Sequence, residues 1–145
     1  MTKSILVILS FLSTSAFADV LDPLDFGTIV VARNDRVSTL KLPTNSAMSS
    51  SNDIHIMERG HPARLFFEAL PANTLISFSS SSVNVELGSR PAVFTISQLL
   101  FRPTAQTNAY GEIELVIGAI LQTSGDGAVY NDGEYQGSVS IELSY

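Results

Sequence analysis

The chain has no cysteine and no tryptophan, and its 8 Lys and Arg are outnumbered by 14 Asp and Glu, leaving a formal net charge of −6. Without cysteine there is no disulfide framework, and no lipid-modified cysteine can serve as an anchor. With so few basic residues there is no stripe for nucleic acid or anionic lipid, and both are set aside as partners. Long apolar runs are missing too. Ile5 to Leu12 is far short of the roughly 20 residues that cross a bilayer as a helix, and no later window is apolar enough, so no membrane span is expected. No stretch of 19–145 keeps a helical period for three turns.

Catalytic and metal-binding patterns are equally scarce. His55 lies between Ile54 and Ile56, His61 precedes Pro62, and neither has a second ligand at i+2 or i+4. No serine lies in G-x-S-x-G or is followed by a His and Asp set. Asp126, Asp132 and Glu134 fall in a Gly-rich stretch without EF-hand spacing and read as a solvated turn. Glu112 and Glu114 read as outward-facing charges that protect a strand edge. The expectation is a protein that is not an enzyme, with no catalytic residue, no metal and no cofactor.

The chain opens with Lys3, the apolar run Ile5 to Leu12, and Ala16, Phe17 and Ala18, the parts of a secretory signal peptide with an A-x-A cleavage site. Residues 1–18 are expected to be removed, with Asp19 as the mature N-terminus and the product exported to the periplasm, the cell surface or the medium. Residues 19–145 then form one domain, large enough to bury about two-thirds of its unfolded surface.

Within that domain, alternation, β-branched residues and Gly, Pro, Asn and Ser punctuation recur at short intervals. Strands are expected over Phe26 to Ala32, Val37 to Leu42, Ile54 to Glu58, Arg64 to Leu70, Leu75 to Ser79, Val83 to Leu87, Val93 to Phe101, Gly111 to Gln122 and the terminal stretch after Gly133. Asn45 to Asn52 reads as a surface loop, Gly60 to Pro62 as a turn and Arg102 to Tyr110 as a connection. In Val93 to Phe101, Phe94 and Ile96 share one face while Leu99 and Phe101 share the other, a phase slip that a bulge near Gln98 would produce. In Gly111 to Gln122, the residues Ile113, Leu115, Ile117, Ala119 and Leu121 share one face. About eight to ten short strands without a helix point to an all-β, antiparallel two-sheet sandwich.

Four local patterns in order carry a resemblance: Leu24-Asp25-Phe26-Gly27-Thr28-Ile29; Gly60 to Phe67, a variant of G-x-P-A-x-x-F; Gly111 to Leu121, similar to G-x-x-x-x-x-x-G-x-x-L; and Gly133 to Tyr145, similar to G-x-Y-x-G-x-x-x-V-x-Y. Together they resemble the bacterial exported proteins of the DUF4402 family, which is similar to spore coat protein U and the archaic chaperone-usher pilins. That resemblance implies an immunoglobulin-like sandwich and a fimbrial, adhesive role. It also implies assembly by donor-strand exchange, with a periplasmic chaperone, an usher and sister subunits as partners.

The chain departs from this pattern in lacking the cysteines of the spore coat members. It departs again in having only Asp19 to Pro23 ahead of Leu24, too short and too poor in β-formers to be a donor. The expected reading is a pilin-like subunit that accepts a strand and donates none, placed at a fibre tip or held by a chaperone. Its assembly strand would be formed by Val139, Ile141, Leu143 and Tyr145. Two alternatives stay open: a free-standing secreted binding module with a complete sandwich, and a small outer-membrane barrel, for which the chain lacks the two aromatic girdles and the eight strands of about ten residues. Export predicts that the intact mass of the secreted or periplasmic product corresponds to 19–145. A product that keeps Met1 to Ala18 contradicts the leader reading.

Overall fold

The computed structural model describes residues 5–13, 17–80, 85–87 and 92–145, with side chains described for 18–80 and 92–145. The strands are β1 (Ile5–Ser13), β2 (Phe17–Asp22), β3 (Leu24–Val31), β4 (Thr39–Leu42), β5 (Ser49–Ser50), β6 (Ile54–His61), β7 (Ala63–Glu68), β8 (Leu75–Ser79), β9 (Val85–Leu87), β10 (Phe94–Leu100), β11 (Thr104–Gln106), β12 (Ile113–Gln122) and β13 (Gly133–Ser144). No helix occurs among the described residues. One sheet has the order β11-β8-β13-β1-β3-β6; the other has β2-β7-β12-β10-β9, with β4 added to β12 and β5 to β4. The two pack into a β-sandwich, the class the alternation predicts.

The core follows from the two-residue period. On β12, Ile113, Leu115, Ile117, Ala119 and Leu121 are buried while Glu114 is exposed and pairs with Arg64 at 2.7 Å. Arg64 also reaches Asp22 at 3.1 Å, so one guanidinium ties three neighbouring strands on the outer face. Phe67 and Phe78, one from each sheet, meet at 5.8 Å between ring centres. The phase slip in β10 is a bulge: Ile96 lies opposite Leu121 and Gln98 opposite Ile120, with Ser97 as the extra residue. Its effect differs from the expectation. The insertion brings Leu99 opposite the buried Ala119, on the same side as Ile96, so Leu99 and Phe101 pack against the core rather than away from it.

Prolines mark where the chain changes sheets. Pro23 separates β2 from β3, Pro62 separates β6 from β7 and Pro103 lies between β10 and β11; each pair belongs to different sheets. Proline has no N–H to give a ladder and biases the preceding residue toward extended backbone, so pairing stops while the chain stays straight enough to cross. The expected turn over Gly60 to Pro62 is therefore a corner, with β6 running on through His61. The expected strand Val37 to Leu42 is shorter, starting at Thr39. Within Arg102 to Tyr110 a short strand, β11, extends the first sheet. Val83, read as part of a strand, lies outside the described residues.

Loops are closed by buried polar side chains. Asn34 Nδ2 donates to Ser124 Oγ at 2.8 Å and to the Ala128 carbonyl at 2.8 Å, and Asn34 Oδ1 accepts from the Gly125 N–H at 2.7 Å. Thr107, also buried, donates to the Pro71 carbonyl at 2.6 Å and accepts from the Thr74 N–H at 2.9 Å. Among the described residues no buried side-chain polar atom lacks a partner, as low-dielectric interiors require. From this packing, Phe67→Ala should cost about 3–5 kcal/mol in urea unfolding, against about 0.5 kcal/mol or less for the exposed Glu142→Gln. Similar midpoints for the two variants would contradict the assigned core.

Candidate strand-acceptor cleft

β3 and β13 are both antiparallel neighbours of strands in the first sheet, yet they do not pair with each other: β1 lies between them. Its nine residues run parallel to β13, from Ile5 opposite Gly133 to Ser13 opposite Ile141. They run antiparallel to β3, from Ile5 opposite Ile29 to Leu9 opposite Leu24. One strand of hydrogen-bonding width, about 4.8 Å on each side, therefore separates the two walls. β1 is the same segment that reads as the apolar heart of the signal peptide.

Each wall is held by contacts other than β1. β13 carries Tyr135, Val139 and Ile141 into the core at alternate positions, and its end, Glu142 to Ser144, pairs with β8. At its start, Tyr135 meets Phe94 edge-on at 5.0 Å, Phe94 stacks on Tyr130 at 4.4 Å, and the Tyr135 hydroxyl donates to the Asn131 carbonyl at 3.0 Å. The Tyr130 hydroxyl donates to the Val93 carbonyl and accepts from the Ser124 N–H. Such aromatic pairs contribute about 0.5–1.5 kcal/mol each beyond area burial, and they pin the first half of β13 to the opposite sheet.

β3 is fixed on its far side by β6. Here Leu24 to Ile29 shows its logic: the Asp25 carboxylate accepts from the Gly27 N–H at 2.7 Å, a local Asx turn. Gly27 has φ +76°, and a Cβ there would lie 2.1 Å from the Glu58 carbonyl oxygen. Only glycine allows that close approach. Toward β1 the same region carries a bulge, since Val7 faces Gly27 while Ile8 faces Asp25. His61 Nε2 sits 3.8 Å from Asp25 Oδ2, both partly exposed.

The structure places the four assembly-strand residues unequally. Val139 and Ile141 are buried and lie opposite Phe11 and Ser13 of β1. Leu143 lies opposite Phe78 of β8, and Tyr145 follows the end of β13 and is exposed. Tyr135 and the β3 wall were not anticipated as part of this site; the signal was the aromatic at the second alternate position of the last strand. His55 is exposed on β6. Asp126 Oδ1 accepts from Ser124 Oγ and the Ala128 N–H and so closes its own loop. Among the described residues no group of three or more His, Cys, Asp or Glu is placed to hold a metal ion.

No family model and no curated protein matches this chain.

Burial raises the pKa of both Tyr130 and Tyr135 above the ordinary phenol value. A raised folded-state pKa means that the stabilisation is complete below the unfolded value of about 10 and is lost as pH rises through the folded values. The melting temperature should therefore hold steady up to about pH 10 and fall above it, in step with tyrosinate absorbance. A melting temperature indifferent to tyrosinate formation would contradict the buried cluster.

Proposed function

We propose that the processed chain, 19–145, is an exported pilin-like subunit that accepts a β-strand from a partner into the cleft between β3 and β13. The observation that carries this reading is that the one strand separating the two walls is the segment expected to be cleaved off. Its loss would bare two strand edges and an apolar floor while the aromatic cluster, β8 and β6 keep the walls in place. Exposed edges of that kind are templates for strand addition. The remaining N-terminal residues, Asp19 to Asp22, are engaged in β2 against β7 and are not free to be donated. This supports a subunit that receives a strand and gives none, at a fibre tip or on a periplasmic chaperone, with an usher and sister subunits as further partners. The partial resemblance to chaperone-usher pilins points the same way.

The second reading is a free-standing binding module whose sandwich is complete. It is favoured by walls that are each paired on the side away from β1, β13 with β8 and β3 with β6, and it requires that 19–145 keep a stable sandwich once β1 is lost. The two readings separate on one experiment with purified 19–145. An alternating apolar donor peptide should raise the melting temperature by several degrees, since a ligand bound only by the folded state stabilises it by mass action. Ile141→Ser, at the cleft, should abolish that effect; Leu143→Ser, on the β8 side, should lower stability but leave the increment. A monomer that is stable without any peptide and unresponsive to all of them favours the binding module.

A further inference from the structure

The leader segment pairs along its whole length with one wall of the cleft and along its first half with the other. Ile5–Ser13 makes nine successive register pairs with β13, and its first half pairs with β3 as well. Val7, Leu9 and Phe11 lie opposite Tyr135, Gly137 and Val139, and Leu9 also lies opposite the buried Leu24. The apolar residues Val7, Leu9 and Phe11 thus take the register positions beside Tyr135, Gly137 and Val139. The expected processing site is engaged too. The Ala18–Asp19 bond falls inside β2, with Ala18 opposite Phe67 and Asp19 opposite Phe66. Asp22, three residues on, is ion-paired to Arg64. A peptidase acts on a segment it can draw out as an extended strand of its own, and cleavage concentrates at exposed tips rather than within paired strands.

Resting on the strand-acceptor reading, we propose that Ile5–Ser13 is itself a ligand of the cleft: a chain that folds before processing closes on its own leader, shuts out partner strands and withdraws the Ala18–Asp19 bond from cleavage. Processing and self-complementation then compete, and whichever comes first decides between an open acceptor and a closed, inert precursor. The tether makes the closed state hard to displace. A strand joined through a short connection acts at an effective concentration on the order of millimolar, so a free donor at micromolar concentration competes at a disadvantage of about a thousandfold. A partner strand therefore gains entry only to chains processed before they fold.

The test uses the full-length chain refolded from denaturant and a synthetic peptide of the Ile5–Ser13 sequence, with added terminal lysines for solubility and a fluorophore. The folded chain should take up no peptide at micromolar concentration, should protect the amides of Ile5–Ser13 from hydrogen exchange, and should resist signal peptidase that cuts the unfolded chain after Ala18. In the full-length Leu9→Pro variant the proline removes a ladder donor from the middle of β1. With its fold checked by circular dichroism, that variant should bind the peptide at least about a hundredfold more tightly than the parent. Fast amide exchange across Ile5–Ser13, or equal and measurable uptake by the parent and Leu9→Pro chains, overturns the placeholder role and leaves strand acceptance standing. A folded Leu9→Pro chain that exchanges its leader amides freely yet binds no peptide overturns both. The exchange measurement needs no variant, so the proposal stays testable even if Leu9→Pro does not fold.

Discussion

A gap one strand wide between β3 and β13 governs this molecule. Backbone N–H and C=O groups buried without partners cost about 1–3 kcal/mol each, so two facing strand edges above an apolar floor cannot stay open in water without consequence. Something extended must lie there, or the edges must find another molecule. In the full-length chain β1 fills the gap, and each wall is also held from its other side. The Tyr130, Phe94 and Tyr135 cluster holds one wall to the opposite sheet, and the Asp25 and Gly27 turn seats the other tightly on β6.

This explains why much of the fold was legible in the sequence and the centre of the site was not. β12 and β13 bury one face each, so their alternation is nearly unbroken, and the bulge in β10 showed itself as an apolar pattern that changed phase. Val139 and Ile141 were legible for the same reason. Ile5 to Leu12 reads only as a signal-peptide core, because an apolar run without alternation carries no strand period of its own. β11, of only three residues, is made by pairing with β8 rather than by its own propensity. The Asn34 and Thr107 hubs join residues far apart in sequence, so no local pattern announces them.

The prolines illustrate a different kind of legibility. Pro62 reads naturally as a turn residue; Pro23 and Pro62 each directly follow a strand, and Pro103 directly precedes one. Their role is to end pairing without reversing the chain, which lets the segments on either side belong to different sheets. A turn and a corner use the same residue because both need an interrupted ladder; what separates them is whether the next strand's apolar face finds its neighbours in the same layer.

The pairing of Ile5 with Gly133 also has a consequence in time. The first strand of the chain must wait for the last, so the closing ladder has close to the greatest sequence separation that a chain of this length allows. Contacts of that kind form late, because the entropy of closing the loop is spent before any contact rewards it. A ribosome emits about 5–20 residues per second, so Ile5–Ser13 stays unpaired by β13 for several seconds while the rest of the sandwich is made. On the proposed reading of an exported subunit, the interval between the birth of the first strand and the arrival of its partner is the time in which an export machine would take hold of that strand.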